Sequence, residues 1–329
     1  MSIARKADSK KIQEHINGLK EQLRLGEARS WWPRFLFRFD DITAAAKILN
    51  EGRLLCRNSA KALGVMGVDC ASPEVIKATA EKWKQYVRLY FRPRTPTQYH
   101  SEGFRPSDRR ELGSHCPVPV VMLFDARDIL TREDTQFSDG NLAARKARTG
   151  GDAAFLRRIP FEDVYHEGPF DASEKADIIF RRHAEVIVPN ELELSPLRYI
   201  GCRTQAEYET LLHLLDPEAR RAWSVKMGAK ANLHYRFWTF VEEVELTRER
   251  IRFQFNPSSR TPGPFRASLQ IQEDATGGKY AWKSDGYIAK STLGINLRGL
   301  SHPEAYKVRL ELDGNLAYAN HYQDEEIPF

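Results

Sequence analysis

Cysteine is scarce in this sequence, and long apolar runs are missing from it. The chain of 329 residues has four cysteines, and none stands in a CxxC or Cys/His spacing that would indicate a zinc site or a disulfide framework. No window approaches the roughly 18 consecutive apolar residues of a membrane span. The first residues also lack the apolar run of a secretory signal. We therefore expect a cytoplasmic protein with reduced cysteines and no membrane association.

The signatures of several common enzyme classes are absent as well. The chain has no GxxxxGK[ST], GxGxxG, HExxH or GxSxG motif. It therefore lacks the sequence signatures of P-loop NTPases, simple Rossmann dehydrogenases, zincins and α/β-hydrolases. The nine histidines show no metal-ligand pairing, and no metal is expected. The net charge of +5 and the isoelectric point near 8.9 permit a polyanionic partner without requiring one.

The pattern of apolar residues predicts two domains, over 1–225 and 226–329. The first mixes helical periods with apolar strands, whereas the second alternates apolar and polar residues between turn sequences such as NPSSRTPGP and DATGG. This alternation predicts an antiparallel β-sandwich or barrel. We expect its aromatic residues in the core: Tyr235, Trp238, Phe240, Trp282 and Tyr287.

Within the first domain, periodicity and capping residues predict individual elements. A helix after Asp40 or Asp41 should end at Gly52, and Thr204 with Glu207 forms a capping box. The other predicted helices cover about 8–26 and 73–85, and the predicted strands lie at about 35–39, 86–92, 117–124 and 184–188.

Three segments place charged or polar residues at the ends of apolar strands, where a site can form. They are RFDD at 38–41, FRPRTPTQYHSEG at 91–103 and RRHAEV at 181–186. An arginine or a glutamate at a strand edge is more often a solvated surface residue. The residues alone therefore leave both interpretations open.

In this order and spacing, the segments resemble the DarT family of ADP-ribosyltransferase toxins. LFRFDDITAAAKILNEGRLLCRNSA (36–60) is similar to the NAD-binding opening of the family, and YVRLYFRPRTPTQYHSEG (86–103) to its strand that ends in an Arg-Ser/Thr-Pro element. CPVPVVMLFDARDIL with TQFSDGNLA (116–143) is similar to the next strand and its loop. RRHAEVIVP (181–189) is similar to the strand that carries the catalytic glutamate. The resemblance covers roughly residues 34–216.

The resemblance implies an α+β fold, with an ADP-ribosyltransferase-like split mixed sheet, helices and NAD in the cleft between the halves of the sheet. It makes Glu185 the catalytic residue, which would stabilise oxocarbenium character on the nicotinamide ribose and take a proton from the acceptor base. The alternative for Glu185 is a surface residue of an edge strand. Arg94 would reach the cleft to hold the pyrophosphate or to stabilise the acceptor, with Arg92 as the competing candidate. Alternatively, Arg94 only caps the following turn.

The resemblance also implies residues that contact the two substrates. Arg38 stands where the family carries a histidine, and we expect it to bind an NAD phosphate, as an arginine at this place does in other branches of the fold. Alternatively, Arg38 faces solvent and NAD is held elsewhere. The predicted cofactor-binding residues are Arg38, Phe39, Asp40, Arg57, Tyr90 and Arg92. The predicted substrate-binding residues are Tyr99, Asn141, Arg145, Lys146, Arg148 and Arg157. For the basic residues of 145–158, a solvated helix face is the alternative.

The predicted function is transfer of ADP-ribose from NAD to a base of single-stranded DNA, in a bacterial toxin or anti-phage effector with a cognate antitoxin. RNA as the acceptor is the first alternative. The others are a catalytically inactive nucleic-acid-binding protein of the same fold and a transferase that modifies protein side chains. The sequence assigns no role to the C-terminal β domain and no oligomeric state.

Overall fold

A computed structural model describes residues 4–66, 68–229 and 232–324; the predicted domain limits at 1 and 329 lie outside these ranges. The helices are α1 Ser9–Gln22, α2 Ile42–Glu51, α3 Arg57–Ala62, α4 Pro73–Ala78, α5 Pro96–Ser101, α6 Ala126–Leu130, α7 Ala153–Arg158, α8 Phe161–Val164, α9 Lys175–Arg181, α10 Gln205–Leu214 and α11 Pro217–Trp223. Short 3-10 turns occupy Trp32–Arg34, Glu81–Gln85, Ser107–Arg109, Glu111–Gly113 and Ser224–Lys226.

The strands of the N-terminal part are β1 Phe35–Asp41, β2 Arg53–Leu55, β3 Tyr86–Tyr90, β4 Pro119–Asp125, β5 Gln136–Ser138, β6 Thr149–Gly150, β7 Glu185–Pro189, β8 Glu191–Glu193, β9 Leu197–Gly201 and β10 Met227–Gly228. Those of the C-terminal part are β11 Val241–Leu246, β12 Arg250–Phe255, β13 Phe265–Glu273, β14 Lys279–Tyr287, β15 Thr292–Asn296, β16 Ala305–Leu312 and β17 Asn315–Gln323.

The N-terminal part is built on an eight-stranded mixed sheet. Its strand order is β10-β9-β4-β1-β3-β7-β5-β6, and β9 and β10 run parallel while the other neighbours run antiparallel. The middle of the sheet is weakly joined, because β1 and β3 pair at a single position, Phe37 with Tyr90. By contrast, β1 pairs with β4 over seven positions. The sheet therefore divides into two halves between β1 and β3, and the predicted α+β fold with a split mixed sheet is confirmed.

The helix after β1 begins and ends at the capping residues that the sequence predicts. The side chain of Asp41 accepts a hydrogen bond from the backbone N–H of Thr43, at 3.1 Å, and so caps α2. Gly52 ends the helix in the left-handed region, at φ 70°, where a side chain would be strained. This geometry turns the chain directly into β2, beside the divided part of the sheet.

Two other predicted helices differ from expectation. The helix predicted over 73–85 ends at Ala78, and a separate 3-10 turn follows at Glu81–Gln85. At α10, Thr204 accepts from the backbone N–H of Glu207 as predicted, at 3.2 Å. The carboxylate of Glu207 instead bonds the guanidinium and backbone N–H of Arg203, so a true capping box does not form.

The N-terminal helix α1 packs against the sheet domain as an amphipathic element. It is shorter than the predicted 8–26, and its buried face consists of Ile12, Ile16 and Leu19. These residues belong to the same core as the sheet, next to α6 and α7. The sheet also reaches Met227–Gly228, slightly beyond the predicted domain limit at 225.

The C-terminal part consists of two antiparallel sheets, with orders β11-β12-β15 and β14-β13-β16-β17. Ring contacts between Phe253 and Tyr318, 5.7 Å between centroids, and between Phe255 and Tyr287 join the sheets. This arrangement is the predicted sandwich. Of the aromatic residues expected in its core, Trp238 and Phe240 are buried, whereas Tyr235, Trp282 and Tyr287 are half-buried.

A buried ion network fixes the junction between the two parts. Arg203 is fully buried and contacts the carboxylates of Glu102 and Glu207. Glu102 in turn accepts from the backbone N–H groups of Tyr235 and Arg236, at 3.0 and 2.9 Å. The chain leading into the sandwich is therefore attached to the end of α5.

None of the helices in the described ranges has the length and the apolar character of a membrane span.

Candidate active site

A cleft opens where β1 and β3 diverge. It is lined by Arg38, Phe39 and Asp40 of β1, by residues of β3 that include Arg88 and Tyr90, and by side chains of α2, β2 and the segment 57–79. The rings of Phe39 and Tyr90 stack with centroids 6.5 Å apart. The cleft therefore follows directly from the single pairing position between the two strands.

Glu185 lies beside this cleft as the first residue of β7. It is 1% exposed and pairs across the sheet with Tyr90. Its Oε1 accepts from Arg88 Nη2 at 2.6 Å and from the backbone N–H of Leu142 at 3.2 Å, while its Oε2 accepts from Arg88 Nε. Its own backbone N–H donates to Ser138 Oγ at 3.0 Å. The carboxylate is thus held by a two-pronged guanidinium contact, which fixes its position and balances its charge.

Arg38 has a fixed place on the opposite strand of the cleft. Its guanidinium binds Asp40 through two contacts, Nε to Oδ2 at 2.7 Å and Nη2 to Oδ1 at 2.5 Å. Nη1 also donates to the carbonyl oxygen of Arg88 at 3.3 Å. Although burial works against the charged form, Asp40 outweighs it and raises the pKa of Arg38. The side chain is 27% exposed, so the guanidinium remains accessible from the cleft.

Arg57 begins α3 on the outer side of the cleft and pairs with Asp69. Both Nη atoms of its guanidinium contact the carboxylate, with Nη2 to Oδ1 at 3.0 Å. Burial opposes ionisation of Asp69, but the hydrogen bond and charge of Arg57 are stronger and lower its pKa. This pair ties the start of α3 to Asp69, and both residues line the cleft. Four apolar side chains in α4 and in the stretch between α3 and α4 are exposed: Leu63, Met66, Val68 and Val75.

The composition of the cleft fits NAD. Arg38, Arg57, Arg53 and Lys47 line it and offer charges for a pyrophosphate, and exposed apolar side chains such as Met66 and Val68 offer surface for rings. Glu185 lies beside the cleft behind Arg88 and Tyr90. No cluster of His, Cys, Asp and Glu among the described residues is arranged to hold a metal ion. All four cysteines are free and buried.

Arg92 and Arg94 do not line the cleft. Arg92 is 1% exposed and donates to the carbonyl oxygens of Val164 and His166, at 3.0 and 2.7 Å, and to the carboxylate of Glu167. Arg94 adopts a positive φ of 53° and binds the other oxygen of Glu167 at 2.6 Å. The two arginines therefore converge on Glu167, and Arg92 has its guanidinium occupied by protein acceptors.

The predicted substrate-binding residues separate into three places. Asn141, Arg145, Lys146 and Arg148 lie in the loop that connects β5 and β6, whose Leu142 contacts Glu185. In this loop Arg145 and Arg148 are exposed, whereas Lys146 pairs with Asp177. Tyr99 lies on α5 against Tyr235. Arg157 is exposed on α7, which packs against α1.

Two residues of the site, Arg88 and Asp69, are not among the predicted ones, although they hold Glu185 and Arg57. A signal for Arg88 was present, because side chains two residues apart on a strand share a face and Arg88 stands two residues before Tyr90. Asp69 lies in an irregular segment after α3, and nothing in its local sequence marks it as the partner of Arg57.

Comparisons with known proteins bear on the same part of the chain. A family model described as DarT, ssDNA thymidine ADP-ribosyltransferase, matches residues 37–231, more than half of the chain. No curated protein matches the sequence.

Solved structures of DarT proteins are similar at low identity. The DarT of Thermus sp. 2.9 in complex with NAD+ has 16% identity and a TM-score of 0.47, with 62% of this chain and 98% of that one covered. The same enzyme in complex with ADP-ribosylated ssDNA has 15% identity and a TM-score of 0.47, with coverages of 62% and 97%. Thermosipho africanus DarTG in complex with ADP-ribose has 15% identity and a TM-score of 0.46, and this chain covers 53% of it.

The family model includes the cleft, Glu185 and the loop between β5 and β6. The resemblance seen in the sequence and the predicted NAD-dependent transferase activity are thereby confirmed. The chain belongs to the DarT family, the ADP-ribosyltransferases that use NAD to modify thymidine in single-stranded DNA.

Proposed function

We propose that Glu185 is the catalytic carboxylate with which this enzyme transfers ADP-ribose from NAD to a thymidine base. One observation supports this role above the others. Glu185 is buried beside the cleft, and its carboxylate is bound by Arg88 and by the N–H of Leu142. A surface residue of an edge strand would have neither the burial nor this set of donors.

The hydrogen bonds leave one oxygen of Glu185 available for the reaction. Each carboxylate oxygen accepts about two hydrogen bonds, and Oε1 already accepts two, from Arg88 and Leu142. Oε2 accepts one, from Arg88. We infer that this remaining lone pair of Oε2 is the one that accepts a hydrogen bond from the nicotinamide ribose.

The carboxylate would act on the step that breaks the glycosidic bond. As nicotinamide leaves, the ribose gains oxocarbenium character, and a fixed negative charge close to it stabilises that transition state. The same oxygen can then accept the proton that the acceptor base loses when its nitrogen or oxygen bonds to the ribose carbon. Because Arg88 and Leu142 hold the carboxylate in advance, little reorganisation is needed during the reaction.

NAD binding is proposed for the cleft residues Arg38, Phe39, Asp40, Arg57 and Tyr90. Arg38 and Arg57 are suited to the pyrophosphate, and the Phe39–Tyr90 stack is suited to an apolar contact with a ring of NAD. For Arg92 we propose a positioning role, because its guanidinium ties residues 164–167 to the loop that carries Arg94. Arg94 is then assigned to the acceptor side of the reaction.

The experiment is a transfer assay with labelled NAD and separate acceptors: thymidine-containing ssDNA, ssRNA and a protein lysate. We expect label on the ssDNA, and Glu185→Gln should lower the rate at least about 100-fold while NAD still binds. Glu193→Gln, on an exposed face of β8, is the matched control and should retain the wild-type rate. Label only on RNA or protein would refute the acceptor, and full activity of Glu185→Gln would refute the role of Glu185.

We further propose a toxin of the cytoplasm that is controlled by a cognate antitoxin. The reaction consumes NAD and modifies DNA, both of which are cytoplasmic in bacteria, and unrestrained activity would harm the host. Expression of the wild-type chain should arrest growth, whereas the Glu185→Gln variant should be tolerated. Equal growth with both proteins would argue against a toxin.

A further inference from the structure

A second surface beside the active site is formed jointly by α5 and the segment that leads into the sandwich. The hydroxyl of Tyr235 donates to the carbonyl oxygen of Arg94 at 2.5 Å. The ring of Tyr235 meets that of Tyr99 edge to face, with centroids 5.2 Å apart. Residues 232–240 lie after the end of the family match at 231, so this surface exists only because the C-terminal part returns to α5.

Three half-buried aromatic rings make up the apolar part of this surface. Phe237 lies 6.0 Å from Tyr235 and 6.3 Å from Tyr99, measured between ring centroids. All three remain partly accessible, in contrast to the neighbouring Trp238, which is buried. We call Tyr99, Tyr235 and Phe237 the aromatic face.

Arginine side chains lie around the aromatic face, and they outnumber the carboxylates that could pair with them. The guanidinium of Arg260 lies 4.0 Å from the ring centroid of Phe237 and is exposed. Arg182 contacts His166, and its buried Nε has no hydrogen-bond partner. Within the ranges that the structure describes, neither Arg182 nor Arg260 forms an ion pair. Arg94 shares its acceptor, Glu167, with Arg92, and the Nε of Arg94 also lacks a partner.

The aromatic face is close to the reacting residues in the chain and in space. Thr97 of α5 lines the cleft, and its Oγ1 contacts Nε2 of His183 at 3.1 Å, two residues before Glu185. Tyr99 lies two residues after Thr97 and therefore on another side of the same short helix. A strand whose target base enters the cleft would pass α5 and reach the aromatic face within a few nucleotides.

We propose that the aromatic face and its three arginines, Arg94, Arg182 and Arg260, bind the nucleotides that flank the target thymidine. Proteins hold single strands with aromatic rings beside cations, since every base can stack and every phosphate can pair. The C-terminal part thus extends the acceptor site beyond the family domain. This inference rests on the proposed function, because it assigns a longer path to the same ssDNA substrate.

The test uses the full chain and two thymidine-containing oligonucleotides, of about 5 and about 25 nucleotides, to compare a minimal with an extended contact. Phe237→Ala and Arg260→Ala should each raise the KM for the long oligonucleotide about 5- to 10-fold, with a matching rise in its Kd by fluorescence anisotropy. The KM for NAD and the kcat at saturating DNA should not change. With the short oligonucleotide, the variants should differ from wild type by less than about 2-fold.

Two control variants support the interpretation. Arg298→Ala removes another exposed arginine of the C-terminal part, for which no ion pair is found among the described residues, and should leave both KM values unchanged. Phe237→Trp keeps an aromatic ring and should restore binding of the long oligonucleotide. If Phe237→Ala does not fold, Arg260→Ala carries the test, because its side chain is exposed.

The outcomes separate this inference from the proposed function. If Phe237→Ala and Arg260→Ala bind the long oligonucleotide with the same Kd as Arg298→Ala, the flanking site is overturned, and an equal rise of the KM for NAD would overturn it as well. A wild-type protein that labels no ssDNA of either length would instead overturn the proposed function.

Discussion

Arg88 and Glu185 face each other across neighbouring strands and form a two-pronged ion pair, with Nη2 of Arg88 2.6 Å from Oε1 of Glu185. The register of β3 and β7 produces this geometry, since Arg88 pairs with Ile187 and Tyr90 with Glu185. The carboxylate is 1% exposed and the arginine side chain 24%. Although burial opposes its charge, Glu185 raises the pKa of Arg88, so the guanidinium stays charged.

Replacement of Arg88 by alanine should damage both catalysis and stability. Without the guanidinium, Glu185 loses two donors and its fixed orientation, and we expect kcat to fall about 100-fold. A buried carboxylate left without its partner should also lower the free energy of unfolding by about 3–5 kcal/mol. Steady-state transfer kinetics and urea denaturation measure the two effects.

The double variant Arg88→Ala with Glu185→Gln separates the effect on catalysis from the effect on stability. A neutral amide does not need a buried counter-charge, so the double variant should regain part of the lost stability while it stays inactive. If the double variant loses as much stability as the two single variants together, the pairing described here is contradicted.

Local signals in the sequence predict the first strand, the helix after it and the central strand β4, whereas the split sheet follows only from the resemblance to the DarT family. Asp41 and Gly52 define the ends of α2, and the apolar run of β4 identifies a central strand. The ion pair of Arg88 with Glu185 depends on strand register, which the sequence does not contain. The placement of Arg94 depends on a positive φ and on Glu167, a residue 73 positions away. Contacts over such distances cannot be read from local patterns.

Arg145 and Arg148 should contribute electrostatically to DNA binding, because both are exposed in the loop whose Leu142 contacts Glu185. If each neutralises one phosphate, the double alanine variant should weaken ssDNA binding. The slope of log K against log salt should then become shallower by about 1.4, since each contact contributes about 0.7 for a single strand. Anisotropy titrations over a range of salt concentrations give this slope.

A double variant with the same change of net charge is the control for that experiment. Lys20→Ala with Arg24→Ala removes two exposed cations from the region of α1. Its slope should stay at the wild-type value. Equal slopes for the two double variants would show that the loop makes no phosphate contacts.

His115 should make the protein less stable as the pH falls. Burial, together with the charges of Arg110 and Arg105, lowers the pKa of this histidine to about 3, and it is 7% exposed. Between about pH 6.5 and about pH 3 the unfolded chain therefore binds a proton that the folded chain does not. Full stability is present above pH 6.5 and decreases by up to about 1.4 kcal/mol per pH unit below it, or about 2 kcal/mol at pH 5.

Urea denaturation of wild type and His115→Gln at about pH 7, 6 and 5 checks the sign and the size of this effect. The variant should lose less stability than wild type over that interval. His302→Gln, at an exposed histidine, should follow the wild-type curve. A steeper decline in His115→Gln than in wild type would contradict the assignment.

Arg203 should be the most sensitive residue of the junction between the two parts of the chain. It is fully buried, with Nε 3.0 Å from Oε1 of Glu207 and Nη1 3.4 Å from Oε1 of Glu102. Arg203→Ala leaves two buried carboxylates without their cation, so the free energy of unfolding should fall by at least about 3–5 kcal/mol. The exposed Arg198, whose guanidinium binds Asp128 at 2.6 Å, is the matched control. Its replacement by alanine should change stability by less than about 1 kcal/mol, because solvent screens that pair.

A milder variant connects this junction to the DNA substrate. The N–H groups of Tyr235 and Arg236 donate to different oxygens of Glu102, so Glu102→Gln keeps an acceptor for only one of them and also removes the charge that faces Arg203. At a temperature where the variant remains folded, loosening of the segment that carries Tyr235 should raise the KM for a long oligonucleotide. The KM for NAD should stay constant, because none of these residues lines the cleft. A rise of both KM values together would indicate general loosening of the fold instead of a specific effect on the acceptor strand.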